Sequence, residues 1–125
     1  MEAPAKRSPR ARSSRQYPTG NHLWVNTERL SSSLEPLHRR LSLDQLARQH
    51  AEDMAEAGEL FRYSHEAAEI KENLLVGPSI QIAHTLAMSV DGEAKNNILN
   101  PHFTAFGMGA VKGADNNLYI CQLFC

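Results

Sequence analysis

Gly107-Met108-Gly109-Ala110-Val111-Lys112-Gly113-Ala114-Asp115-Asn116-Asn117-Leu118-Tyr119-Ile120-Cys121-Gln122-Leu123-Phe124 decides the fold. The run Gly113 to Asn117 is made of turn-forming residues and is flanked by two apolar stretches, which is a hairpin signal. In the second stretch, Leu118, Ile120 and Phe124 fall on one face of a strand and Tyr119, Cys121 and Leu123 on the other. A strand that is apolar on both faces must be covered on both, so this one is expected in the middle of a sheet between two layers of helix. The sequence therefore predicts an α+β domain in which helices sandwich a small, mostly antiparallel sheet.

Upstream, the residues from Asn96 to Pro101 read as a polar, turn-rich connection. Gly77-Pro78-Ser79 opens a helix to about Ser89, with Ile80, Ala83 and Ala87 on its apolar side and Leu86 beside them, although Leu75 to Ile82 reads equally as a strand. Phe61-Arg62-Tyr63-Ser64-His65 alternates like a short strand, with Phe61, Tyr63 and His65 on one face. The strongest helix lies before it. Ser42 stands three residues ahead of Gln45 as in a capping box, Leu43, Leu46, Ala47, Ala51, Met54 and Ala55 form one stripe, and Gly58 supplies the stop. Its expected length is about 15 residues. A first helix from Leu23 to Leu34 is marked by Leu23, Thr27, Leu30 and Leu34, and Glu35-Pro36 ends it.

Charge divides the chain. Residues 1–20 carry Lys6, Arg7, Arg10, Arg12 and Arg15 against Glu2, whereas the whole 125-residue chain has a net charge of −1. The first stretch also holds Pro4, Pro9 and Pro18 and almost nothing apolar, so it reads as a disordered basic tail, with the domain proper at residues 21–125. No apolar region follows the basic residues as in a signal peptide, and the Arg/Ser bias also fits an organellar transit peptide. Scattered charges without aromatic partners make nucleic acid an unfavoured partner. No apolar run approaches the roughly 18 residues of a transmembrane helix. Two cysteines are too few for a disulfide framework or a four-cysteine zinc module.

Taken in order, the motifs resemble the CAP superfamily of cysteine-rich secretory, antigen-five and pathogenesis-related proteins, most closely its short bacterial-type branch, the SCP domain. The carriers are Asn26-Thr27-Glu28-Arg29, Leu34-Glu35-Pro36-Leu37, Leu43-Asp44-Gln45-Leu46-Ala47 and His50-Ala51-Glu52-Asp53-Met54-Ala55. Tyr63-Ser64-His65, Glu72-Asn73, Asn97-Ile98-Leu99-Asn100-Pro101 with Phe103, Gly107-Met108-Gly109 and the strand from Tyr119 to Phe124 complete the series. The resemblance implies an α-β-α sandwich, in agreement with the pattern reading.

The resemblance also implies a cleft of two histidines and two acids that binds zinc or magnesium in several members. His65 matches the first histidine and Glu72 the acid, with Asn73 beside it in the binding cleft and Asn97 as a support. Imidazole nitrogen and carboxylate oxygen are ordinary zinc ligands. Ala94 stands where the second histidine is expected, and Lys71 replaces the glycine before Glu72. Glu66 and Glu69 are candidates for the second acid, and His84 and His102 for a substitute histidine. On the resemblance alone the metal set, His65 and Glu72, is incomplete; a plain hydrogen-bonded pair tying strand to loop is the alternative reading of these two residues.

Ser64, His65 and Glu72 contain the residue types of a hydrolase triad. Neighbours along a strand point to opposite faces, however, and no Gly-x-Ser-x-Gly elbow supports the serine. Cys121 and Cys125 lack a recognisable catalytic context. Four apart in a strand, their Cα atoms are expected about 13 Å apart, against the roughly 4.4–6.8 Å a disulfide spans. The expectation is thus a non-enzymatic SCP-domain module, secreted by resemblance although no export signal is visible, which binds a sterol, another lipid or a protein. A metal-dependent or serine-type peptidase, a structural relative with no ligand, and an intracellular location are the alternatives.

Overall fold

The computed structural model describes residues 22–63 and 69–125. Its helices are α1 at 22–31, α2 at Leu41–Ala57, α3 at Ile80–Ser89 and α4 at Glu93–Ile98; its strands are β1 at His38–Arg39, β2 at Lys71–Gly77, β3 at Ala105–Lys112 and β4 at Leu118–Phe124. The sheet order is β1-β3-β4-β2. β4 pairs antiparallel with β2 on one side and with β3 on the other, and β1 adds a short parallel pair to the outer edge of β3. The expected hairpin and the central position of the last strand are both present. The tail expected at residues 1–20 and the stretch Ser64 to Ala68 lie outside the described residues.

The alternation of β4 sorts its side chains into two cores. Leu118, Ile120 and Phe124 join Phe106, Met108 and Ala110 of β3 against Val25, Ile80, Ala83 and Ile98 from α1, α3 and α4. Tyr119, Cys121 and Leu123 pack with Ala105 against Leu43, Ala47, Ala51 and Met54 of α2. Each fully buried Leu, Ile or Phe contributes about 1.5–3 kcal/mol relative to exposure, so the two layers together are the main favourable term. On the α2 side β3 presents Gly107 and Gly109. A Cβ at 109 would lie 2.5 Å from the Arg48 backbone nitrogen and one at 107 would lie 2.5 Å from that of Asp44. Here glycine is required by the close approach of helix and strand.

Asp44 ties that approach down. Its carboxylate accepts from the Met108 backbone N–H at 3.0 Å and from Arg39 Nε at 2.6 Å. β1 ends before it can reach Met108, so a side chain takes over the strand's edge. The chain then passes straight into α2, with the Arg40 N–H donating to the Phe106 carbonyl at 2.9 Å. Arg40 is therefore the N-cap and makes no side-chain cap bond. The expected Ser42 capping box does not form, because Ser42 already lies inside the first turn. Gly58 closes α2 in the left-handed conformation (φ 74°), as its position predicts.

Other expectations shift for tertiary reasons. Leu46 is half exposed; the buried stripe of α2 runs instead through His50. Leu34 lies beyond α1, whose chain reverses at Ser33 (φ 62°). Phe61 to Tyr63 has no regular strand structure. Leu75 to Ile82 is divided: β2 ends at Gly77, and Ser79 Oγ caps α3 by accepting from the Ile82 N–H at 3.1 Å. The polar Asn96–Pro101 region begins inside α4, because Asn97 is drawn into a buried amide network. Both cysteines are free thiols, as their spacing predicts. Among the described residues, no helix is long and apolar enough to cross a membrane.

Candidate functional site

Adjacent residues of β2 face opposite layers, and this divides the Glu72-Asn73 motif. Glu72 lies opposite Leu123 and turns toward α2; Asn73 lies opposite Gln122 and turns toward α4. Asn73 Nδ2 donates to the Ala94 carbonyl at 3.0 Å and to Gln122 Oε1 at 3.1 Å, and Asn97 Nδ2 donates to Asn73 Oδ1 at 2.8 Å. All three amide side chains are buried. Asn73 and Asn97 thus meet each other under α4, while Glu72 is on the other side of the sheet. His65, the first histidine of the expected set, lies outside the described residues, as do Ser64 and Glu66.

Glu72 meets His50 and Cys121 instead. Glu72 Oε1 is 3.4 Å from His50 Nδ1, and Cys121 Sγ is 3.6 Å from the same nitrogen. The three candidate ligand atoms all lie within 4.8 Å of one another, and all three residues are buried. The orientation of His50 is held from several directions. Its Nε2–H donates to the Phe61 carbonyl at 2.6 Å, which orients the ring so that Nδ1 points toward Glu72 and Cys121. The Tyr63 ring stacks on it, centroids 3.8 Å apart and planes 1° from parallel, and the Tyr63 hydroxyl is hydrogen-bonded to Asp53 of α2. The other carboxylate oxygen of Glu72 accepts from the Tyr63 backbone N–H at 3.2 Å and is 3.7 Å from Arg62 Nη1. Burial, reinforced by the charge of Glu72, pushes the Cys121 thiol well above its ordinary range.

The family-type metal set does not assemble from the described residues. Ala94 offers only a methyl group, and its carbonyl is occupied by Asn73. Glu69 and His102 are exposed. His84 is buried and bonded through Nε2 to Glu28 of α1 at 3.0 Å, next to Trp24. His50 is legible in the sequence only through the motif His50-Ala51-Glu52-Asp53-Met54-Ala55; it is not counted in the apolar stripe of α2, although it lies three residues after Ala47 and four before Met54. Cys121 was legible only as a core strand residue. Nothing in the linear pattern brings together positions 71 residues apart.

Comparison with known proteins agrees with the motif order. The model of the family described as "CAP: Cysteine-rich secretory protein family" matches residues 24–124. Among solved structures, an outer surface protein of Borrelia burgdorferi superposes with a TM-score of 0.74 at 16% identity, covering 85% of this chain and 89% of that one. Venom allergen-like protein 4 of Schistosoma mansoni gives 0.68 at 16% identity, with 86% of each chain covered. An extracellular SCP-domain protein of Bacillus anthracis gives 0.72 at 18% identity, covering 97% of this chain and 44% of that one. These likenesses establish the α-β-α sandwich. A comparison with curated protein sequences returns no match.

Proposed function

Because the chain belongs to the cysteine-rich secretory protein (CAP) family, we propose that it is a non-enzymatic SCP module that works outside the cell and binds a sterol or another lipid. The observation that carries this reading is an exposed apolar stripe on α3. Ile82, Leu86 and Val90 recur every four residues and are 46%, 59% and 64% exposed, so they share one outward side of the helix and its cap. Leu23 and Leu30 are likewise exposed on α1, and the two helices meet where the Trp24 ring lies 5.6 Å from His84. Apolar side chains grouped at a surface mark a contact site for apolar partners.

The buried position of the Glu72 centre supports a binding role over a catalytic one. Its carboxylate is engaged by His50, Arg62 and the Tyr63 N–H, so it is not free to orient a base for an incoming peptide. The locations of two neighbours, an outer surface protein and an extracellular protein, support an extracellular site of action.

Flotation with phosphatidylcholine vesicles, with and without cholesterol, tests the reading. The parent protein is expected to float with sterol-containing vesicles, and Ile82→Glu with Leu86→Glu to remain behind. Failure of the parent to bind either vesicle would overturn it and leave a scaffold with no lipid ligand. Peptide turnover by the parent that disappears in Ser64→Ala or His65→Ala would replace it with the hydrolase reading.

A further inference from the structure

We propose that His50 Nδ1, Glu72 Oε1 and Cys121 Sγ form a zinc site between α2 and the sheet, which shares Glu72 with the set the family resemblance implies but takes His50 and Cys121 in place of its histidine pair. Zinc bonds of about 2.0–2.3 Å at tetrahedral angles place an imidazole nitrogen and a carboxylate oxygen about 3.4 Å apart, and a nitrogen and a sulfur about 3.6 Å apart. The observed separations are 3.4 Å and 3.6 Å. The remaining oxygen–sulfur edge lies within 4.8 Å. One nitrogen, one oxygen and one sulfur donor suit zinc and disfavour magnesium and calcium, which prefer all-oxygen sites.

The surroundings match what a zinc ligand needs. A ligating histidine donates its other N–H to a carbonyl or carboxylate, and Nε2 of His50 donates to Phe61. Tyr63 fixes the ring plane from one side. The Tyr63 N–H and Arg62 hold the outer oxygen of Glu72 and leave Oε1 toward His50. His50 Nδ1, Glu72 Oε1 and Cys121 Sγ face one another in a buried space. A cation placed among them would be bonded by all three. Bound zinc also takes Cys121 as the thiolate, with its proton released to solvent. Among the described residues three side chains supply ligands, and a tetrahedral zinc ion takes a fourth ligand besides these.

The site stands apart from the lipid reading and is tested on the full chain. In reduced Cys125→Ser protein, Cys121 is the only thiol, so a sulfur–metal signal has one source. Titration with cobalt(II) is expected to give an intense thiolate-to-cobalt charge-transfer band that saturates at one equivalent and is discharged by zinc. His50→Gln in the same background is expected to weaken cobalt binding about tenfold or more. Absence of the band at saturating cobalt in folded Cys125→Ser protein would overturn the proposal. So would cobalt bound at one equivalent without a sulfur band, since the metal would then sit elsewhere. Because the decisive measurement leaves Cys121 intact, it does not depend on a core variant that fails to fold.

Discussion

Asn97 donates its side-chain amide to the side-chain oxygen Oδ1 of Asn73 at 2.8 Å, locking α4 onto β2 inside the core. Asn73 uses both amide hydrogens as well, one to the Ala94 carbonyl and one to Gln122. Asn73→Ala removes the acceptor for Asn97 and the donor for Ala94 and Gln122 together, so buried polar groups lose a partner on both α4 and β4. The expected loss is about 3 kcal/mol, or roughly 10–20 °C in Tm for a domain near 100 residues. Asn73→Asp is expected to be no better, because a carboxylate cannot donate to Ala94 and brings a buried charge. Thermal unfolding of the two variants checks this; a drop of only a degree or two would show that water replaces the network.

Gly109→Ala and Gly107→Ala test the approach of α2 to β3. Each added methyl would meet helix backbone, which cannot rotate away as a side chain tip does. Helix and strand must separate, which also strains the Asp44–Met108 bond. A loss of about 2–3 kcal/mol is expected for each. By contrast, Gly92→Ala meets open space and is expected to change stability much less. Equal unfolding midpoints for Gly109→Ala and Gly92→Ala would refute the close-approach account.

The difference between these glycines shows what was legible in the sequence. The two-sided apolar pattern of Leu118 to Phe124 is repeated on consecutive residues, and a central strand is its only economical home, so the layer order could be read directly. The start of α2 could not. Ser42 satisfies a local capping rule, but the strand bond from Arg40 to Phe106 begins the helix earlier. The same holds for α4, where Asn97 is pulled inward by a partner 24 residues away. For the site, Glu72 was found by its motif, whereas His50 and Cys121 look like ordinary core positions until the sheet sets them side by side.

Arg29 is a buried cation held by carbonyls. Its guanidinium donates to Glu35 O at 2.7 Å, Ile98 O at 2.9 Å, Asn100 O at 2.9 Å and Phe103 O at 3.4 Å. It thereby gathers the end of α1, the end of α4 and the entry to β3. Lysine retains the charge but has no planar fork to reach four separate acceptors. Arg29→Lys is expected to cost about 2–4 kcal/mol and Arg29→Met at least as much. Urea denaturation reads both; a Lys variant as stable as the parent would mean that the charge alone suffices.

His22 provides a pH test. Burial, the largest influence, and the charge of Arg39 lower its pKa, outweighing the hydrogen bond to the Leu37 carbonyl and the charge of Asp44, which raise it. The ring lies against Phe106, centroids 5.6 Å apart, so protonation charges a group packed on the apolar core. The unfolded chain retains the ordinary value of 6.5 and therefore binds the proton more readily than the folded one. Stability rises with pH wherever the unfolded state holds more protons. The contribution of His22 is thus fully present above pH 6.5 and is lost as the pH falls toward the lowered folded value. His22→Gln retains a polar side chain at the site and cannot titrate. Urea midpoints at about pH 7.5 and about pH 5 are expected to lie closer together in His22→Gln than in the parent. If the two proteins lose equal stability over that interval, the acid sensitivity belongs to other groups and the stacked imidazole of His22 is not its source.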